Sequence, residues 1–266
     1  MMNTIFSIEM NPSVDKSASV ERVVVERKLY CTRPTFEPGG GGVNVSRAIK
    51  KLGGVSRLLF PSGGRSGKML EDLLIKEDLN HQPISVSGAT RENLIILEES
   101  TGLQYRFGMP GPVLSEIEWQ RCLAELGNIE PRPDYIVASG SLPPGVPADF
   151  YAQVARTGKE RGSKVIVDVP SENIGPVLQE GVYLIKANIR EFSELCGGKI
   201  EGEPQIKEKA RAMVEAGQSE VVAVSRRMRM PEPDLRSIRH FALEAPQLLV
   251  LHVDHGVVAL DRGRKE

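Results

Sequence analysis

The sequence predicts an α/β protein: a mostly parallel sheet covered by helices on both faces, with a smaller β-sheet beside it. Two observations carry this. Short β-branched runs alternate with amphipathic segments along most of the chain, and two stretches that break the alternation read as antiparallel strands. A third observation, glycine-rich loops directly after strands, says where a ligand would sit, since open α/β sheets bind beyond the carboxyl ends of their strands.

Taken in order, Thr4–Ile8, Val55–Phe60, Tyr135–Ser139, Lys164–Val169, Val182–Ala187 and Glu220–Ser225 have the length and apolar content of buried strands. Helical patterns lie between them. Val43–Leu52 carries Val45, Ala48, Ile49 and Leu52 on one face, and Gly67–Leu79 carries Leu70, Leu73, Leu74 and Leu79. Ser115–Leu126, Pro147–Arg161, Arg190–Leu195 and Glu203–Ala216 continue the series. Ser19–Tyr30 and Leu94–Gly108 are expected as the antiparallel strands of the small sheet, the second a hairpin turning at Glu99–Gly102.

Composition limits the function. With 34 basic against 35 acidic residues the net charge is −1, which excludes a generally basic nucleic-acid binder. At 266 residues the chain suits one large domain or two small ones, and no stretch approaches the ~20 apolar residues of a membrane span. The first residues are too few and too acidic for a signal peptide. Three cysteines, Cys31, Cys122 and Cys196, form no C-x-x-C pattern, so reduced thiols and a cytoplasmic location are expected.

The most informative segment is Glu37-Pro38-Gly39-Gly40-Gly41-Gly42-Val43-Asn44. Four glycines entering a helix strip every Cβ from its N-terminal loop, so backbone N–H groups can approach an anionic or hydroxyl oxygen. It is not the dinucleotide fingerprint, because Asn44 or Val45 stands where the third glycine belongs. Ser66-Gly67-Lys68-Met69 is not a P-loop, because Met69 replaces the magnesium-binding hydroxyl. Gly63-Gly64 with Gly67, and Ser139-Gly140-Ser141-Leu142-Pro143-Pro144-Gly145, follow two other strands. Three such loops at one sheet edge predict a lined crevice.

Pro38–Asn44, Gly63–Gly67, Ser139–Gly145 and Lys186-Ala187-Asn188-Ile189-Arg190-Glu191 together resemble the PfkB carbohydrate kinases of the ribokinase-like fold, over residues 1 to about 225. The resemblance is to the branch of the minor bacterial 6-phosphofructokinases, with 1-phosphofructokinases and tagatose-6-phosphate kinases as near relatives. It implies a three-layer α/β/α sandwich with a β-sheet lid at about residues 10–36 and 87–109, and a homodimer formed through that lid. It also implies ATP-dependent phosphorylation of fructose 6-phosphate to fructose 1,6-bisphosphate.

By that resemblance Asp15 accepts hydrogen bonds from sugar hydroxyls, and Gly40, Gly41, Asn44 and Ser141 hold the sugar. Arg91 and Arg106 clamp the phosphate already on the substrate, as guanidinium forks do, Arg106 across the dimer interface. Lys28, expected in a strand, reaches sugar phosphate or nucleotide. Lys186, Asn188 and Ser225 belong to the nucleotide site. Asn188 and Glu191, as N-x-x-E, organise Mg²⁺ and the ATP phosphates partly through water, which suits an ion that takes oxygen ligands and keeps waters.

One part of the pattern is missing. The family's G-A-G-D segment, which supplies an anion hole and the aspartate base, occurs nowhere in the 266 residues. Asp254 lacks its glycine-rich context, and the expected Ser-Leu-Gly begins at Ser225 and breaks into Arg226-Arg227-Met228. Residues 226–266 hold seven arginines, three of the four histidines and two of the 26 glycines, with a candidate strand at Gln247–Val253. This shift is what another reading frame would produce, so a frameshifted or truncated end is expected. The alternative functions are a catalytically inactive sugar-phosphate-binding remnant and a 1-phosphofructokinase or tagatose-6-phosphate kinase. A metal site at His240, His252 and His255 is not expected, because the histidines follow no ligand pattern.

Overall fold

The structure is a computed structural model that describes residues 4–225 and the strand 257–261. Its fold is a mostly parallel sheet with helices and a small mixed sheet, as the alternation predicts. The chain forms two compact units, Met1–Pro133 with Ser139–Pro147, and Asp134–Ala138 with Ala148–Glu266.

The first unit runs β1 (Ile5–Ile8), β2 (Ser13–Val20), β3 (Thr35–Gly39), α1 (Gly41–Lys51), β4 (Ser56–Ser62), α2 (Gly64–Lys76), β5 (His81–Ser85), β6 (Arg91–Glu98), β7 (Leu103–Phe107) and α3 (Glu116–Asn128). Parallel pairing joins β1 to β4, with Ile5 opposite Ser56, and β4 to β5, with Leu58 opposite His81. A core of Val14, Val43, Leu58, Phe60, Leu70, Leu74 and Leu79 packs α1 and α2 on these strands. The face predicted for α2 holds, with Leu70, Leu74 and the following Leu79 in the core and Leu73 packed against it. On α1 it does not, since Leu52 is 69% exposed and Val43 is buried in place of the expected Val45, Ala48, Ile49 and Leu52. The small sheet has the order β3-β2-β6-β7. In it β2 is antiparallel to β3 and parallel to β6, and β6 is antiparallel to β7.

Two linked expectations fail around the small sheet. Ser19–Tyr30 is not a strand: the second strand ends at Val20, and β3 follows at Thr35. Between them the chain makes a loop closed by Thr32, whose N–H donates to the Ser19 carbonyl at 2.8 Å and whose hydroxyl accepts from the Ser19 N–H at 2.9 Å. Val23-Val24-Val25 has strand propensity but no partner surface; Val25 is 84% exposed, and Glu26 turns to φ 58°. Lys28 therefore lies in this loop, not in a strand. Strand β5 carries Pro83, tolerated because β5 is at the sheet edge.

The second unit comprises β8 (Tyr135–Ser139), α4 (Phe150–Glu160), β9 (Lys164–Asp168), α5 (Ser171–Glu180), β10 (Val182–Asn188), α6 (Ile189–Leu195), α7 (Glu203–Glu215), β11 (Ser219–Ser225) and β12 (Val257–Asp261). Its strands stand in the order β12-β11-β10-β9-β8; β9, β10 and β11 pair in parallel, and β12 runs against β11. Helix α5, not expected, forms despite Gly175 and Pro176 because Asn173, Ile174 and Val177 are buried. Tertiary burial overrides propensity here. Among the described residues no helix is long and apolar enough to cross a membrane. The candidate strand Gln247–Val253, the three late histidines and Asp254 lie outside the described residues.

Candidate active site

The glycine run sits where strand β3 meets helix α1, and its glycines face the side chains of Asp15, Ser139 and Glu9. A Cβ on Gly39 would lie 2.5 Å from Asp15 Oδ2, and one on Gly41 2.3 Å from Ser139 Oγ. A Cβ on Gly40 would lie 2.7 Å from Glu9 Oε2, and one on Gly42 2.8 Å from the Glu9 Cβ. Gly40 also takes φ 126°, a backbone conformation that L side chains rarely adopt. Helix α1 thus begins inside the run, two residues earlier than its apolar pattern suggests. The Gly63–Gly67 loop has another purpose. A Cβ on Gly63 would sit 2.0 Å from the Gly88 carbonyl oxygen, so this glycine permits backbone packing.

Register brings four polar side chains to one face of the small sheet. Ser13 stands opposite Arg91 and Asp15 opposite Asn93, while Ile95, two residues on, stands opposite Arg106. Asp15 Oδ1 accepts from Ser13 Oγ at 2.7 Å and from Asn93 Nδ2 at 2.9 Å, leaving its other oxygen for a ligand. Asn93 Oδ1 accepts from the Met109 N–H. Arg91 donates from Nε and Nη2 to the Asn11 carbonyl, at 3.1 and 2.8 Å, and from Nη1 to the Met109 carbonyl at 3.1 Å. These bonds use three of the five guanidinium N–H groups, so the others stay available to an anion. Asn11 Nδ2 donates to Ser141 Oγ at 3.0 Å, and Asn11 Oδ1 is buried without a partner among the described residues. Asp15, Arg91 and Ser141 are therefore tied into one network, while Gly40 and Gly41 lie against Glu9 and Ser139. Asn44 is exposed on α1 and accepts from Arg47 Nη1, Arg106 is exposed and donates to Gln104 Oε1, and Lys28 stands over the Tyr30 ring at 5.2 Å. These three do not join the network.

A second set gathers at the carboxyl ends of β9, β10 and β11. In register, Asn188 stands beside Ser225, and Ile185 beside Val167, so the next residues Lys186 and Asp168 meet. Lys186 Nζ donates to both Asp168 oxygens, at 2.9 and 3.0 Å. Burial raises the Asp168 carboxyl above the ordinary value, the Lys186 charge opposes the rise, and the Glu191 carboxylate adds to it. Asn188 caps α6: its Oδ1 accepts from the Arg190 and Glu191 N–H groups, both at 3.0 Å. Glu191 Oε2 in turn accepts from the Asn188 N–H at 2.8 Å. The N-x-x-E spacing is thus a capping box, which leaves Glu191 Oε1 and the Asn188 amide group facing a groove lined also by Pro170, Ser171 and Arg190. A free carboxylate oxygen on Glu191, with Asp168 in electrostatic reach, is the hard-oxygen donor chemistry that Mg²⁺ takes.

Residues 8–226 match the model of the pfkB family carbohydrate kinases. The chain belongs to this family. It is 39% identical over 221 residues to the ATP-dependent 6-phosphofructokinase isozyme 2 of Mycobacterium tuberculosis, a match covering 83% of this chain and 65% of that protein. To the Escherichia coli isozyme 2 it is 36% identical over 225 residues, covering 84% of this chain and 72% of the relative. The crystal structure of Escherichia coli phosphofructokinase-2 in complex with fructose-6-phosphate superposes with a TM-score of 0.81 over 84% of this chain and 74% of that one, at 36% identity. The chain spans about two thirds of the mycobacterial relative, 65% of its length.

Four residues of these clusters carried no signal that sequence reasoning used. Asn93 is two residues after Arg91, on the same strand face, and the period-2 rule would have found it. Asp168 ends a buried strand, where a charge is out of place unless it has a task or a partner. Glu9 and Asn11 follow the end of β1, and Glu9 is a carboxylate only 1% exposed.

Proposed function

We propose that this chain binds fructose 6-phosphate and MgATP and is built for ATP-dependent transfer of a phosphoryl group to the sugar 1-hydroxyl, giving fructose 1,6-bisphosphate. The observation that carries the reading is the convergence on Asn11. Its carbonyl holds the Arg91 guanidinium while its side chain holds Ser141, and the adjoining strand presents Asp15. A phosphate-binding fork and a hydroxyl-binding carboxylate on one frame match a phosphorylated sugar.

Each side chain has a task in this reading. Arg91 takes the phosphate already on the sugar, and Arg106 on the same sheet face adds to that charge. Asp15 accepts from sugar hydroxyls, and the backbone of Gly40 and Gly41 approaches the sugar without hindrance. Lys186, Asn188 and Ser225 serve the nucleotide. Asn188 and Glu191, with Asp168 in electrostatic reach of Glu191, would hold Mg²⁺ partly through water, and the ion would supply screening of the triphosphate charge. Asn44 and Lys28 reach the ligands only if their side chains leave their present partners.

The kinase domain is residues 1–225 in this reading, and 226–266 stand outside the family pattern. No proton acceptor for the sugar hydroxyl is assigned, because the sequence has no G-A-G-D segment. That same absence favours one second reading, a sugar-phosphate binder without turnover. Apolar surface at Leu97, Leu103 and Phe107, each 41–53% exposed on the small sheet, supports a homodimer through that sheet. The free thiols of Cys31, Cys122 and Cys196 suit a reducing cytoplasm.

The test is a coupled ADP-release assay over a panel of fructose 6-phosphate, fructose 1-phosphate and tagatose 6-phosphate, with calorimetric binding of each. Turnover with fructose 6-phosphate is the expected result. Binding without turnover selects the second reading, and no binding of any sugar phosphate refutes both.

A further inference from the structure

Glu9 follows strand β1 and is the most deeply enclosed carboxylate around the sugar-phosphate cluster, at 1% exposure. It touches three loops at once. Oε1 accepts from the Asn11 N–H at 3.0 Å, and Oε2 accepts from the Gly42 N–H at 2.8 Å. The loop after β8 presses on it as well: a Cβ on Gly140 would lie 2.5 Å from Oε1 and 2.6 Å from Oε2. With Gly40 and Gly42 also against this side chain, three glycines in two loops owe their lack of a Cβ to Glu9. Its own N–H donates to the Leu59 carbonyl of β4 at 3.0 Å, which anchors it to the sheet.

We propose that Glu9 is a positioning residue for the sugar-phosphate site, its carboxylate locking the glycine loop, Asn11 and the Gly140 loop into one rigid frame. It acts through Asn11, whose carbonyl and side chain set Arg91 and Ser141. The inference rests on the sugar-phosphate reading, since that is the ligand those residues would serve. Two features distinguish Glu9 from filler. An apolar side chain would leave the Asn11 and Gly42 N–H groups buried and unmade, which costs more than the bonds themselves contribute. The carboxylate also presents acceptors on both oxygens, whereas a glutamine would turn an N–H donor toward one of the two N–H groups. Burial pushes the Glu9 carboxyl up to about 7, against the pull of the Gly42 and Asn11 N–H groups and of Arg91. Burial thus disfavours the charged form, and the Asn11 and Gly42 N–H groups that the carboxylate ties together oppose that cost.

The experiment compares full-length wild type, Glu9→Gln and Glu118→Gln by calorimetry, with fructose 6-phosphate and a non-hydrolysable ATP analogue as separate titrants. Glu118 caps α3 and takes no part in the sugar-phosphate network, so its variant reports stability loss alone. Glu9→Gln is expected to weaken fructose 6-phosphate at least tenfold and to leave the nucleotide within twofold; Glu118→Gln leaves both within twofold. Unchanged fructose 6-phosphate affinity in Glu9→Gln overturns the inference, as does equal weakening of both titrants. If Glu9→Gln does not fold, or if wild type binds no sugar phosphate, amide exchange in wild type decides. Asn11 and Gly42 N–H groups exchanging as slowly as those of β4 support the frame, and exchange at loop rates overturns it. Failure of wild type to bind fructose 6-phosphate counts against the functional reading, not against the frame.

Discussion

Gly41→Ala puts a single methyl group where two loops meet. Gly41 is the first residue of α1, and its φ is not in the left-handed region, so the backbone accepts alanine. Helix propensity alone would then favour the variant by up to ~1 kcal/mol. Against that, the new Cβ would lie 2.3 Å from Ser139 Oγ and 2.9 Å from the Gly140 amide nitrogen. The serine hydroxyl can rotate away, but the backbone nitrogen cannot, and overpacking of this kind costs about 1–3 kcal/mol. The expected net effect is a loss of roughly 1–2 kcal/mol, or a loop displacement that spares stability and widens the sugar site. Urea unfolding measures the first and calorimetry with fructose 6-phosphate the second; a tenfold weaker Kd corresponds to about 1.4 kcal/mol. A variant as stable as wild type or more so, with unchanged Kd, would refute the reasoning. It would mean that the glycine run is a flexible connection and that its closeness to Ser139 has no consequence.

Arg91→Ala should weaken fructose 6-phosphate at least tenfold while leaving an ATP analogue within twofold, since its guanidinium is bonded to the Asn11 and Met109 carbonyls and not to the Lys186–Asp168 pair; equal losses for both ligands would contradict the proposed assignment. Lys186→Met should change stability by less than about 1 kcal/mol, because the pair with Asp168 is partly exposed at 41% and 35%, yet lower nucleotide affinity about tenfold in a titration with MgATP analogue. The four hydrogen bonds from Ser87 and Ser115 hold the Glu118 carboxyl at about 2, below the ordinary 4.5, so its contribution is complete above pH 5 and disappears as pH falls toward 2. Glu118→Gln should accordingly cost about 1–2 kcal/mol at pH 7 and flatten the acid limb of the pH–stability curve, read from denaturant midpoints. Translating the gene beyond Val224 in the other two frames should uncover Gly-Ala-Gly-Asp; its absence from both would argue for a divergent tail.

The alternation of strands and helices, the glycine run and the Lys186–Glu191 segment were enough for the fold class, because each rests on local period and backbone chemistry. The failures were all non-local. Val23-Val24-Val25 has the composition of a strand, but strand formation also needs a partner edge and a surface to bury, and neither is visible in one segment. Helix α5 shows the converse: its glycine and proline argue against it locally, and burial of Ile174 and Val177 decides in its favour.

The same division holds for the site. By itself the sequence determined that Gly39–Gly42 must bring backbone close to something, and that Asn188 and Glu191 lie together at a helix start. Only the tertiary structure decided what those groups face. Asp15 and Arg91 are 76 positions apart in sequence and become neighbours through the parallel register of β2 and β6. Asn11, which no motif marks, becomes the hub because its carbonyl meets Arg91 of β6, its amide meets Glu9 and its side chain meets Ser141. Glu9 is the clearest case: a lone acid after a strand carries no periodic signal, and its importance comes from burial, which turns an ordinary solvated carboxylate into an acceptor that three loops must share.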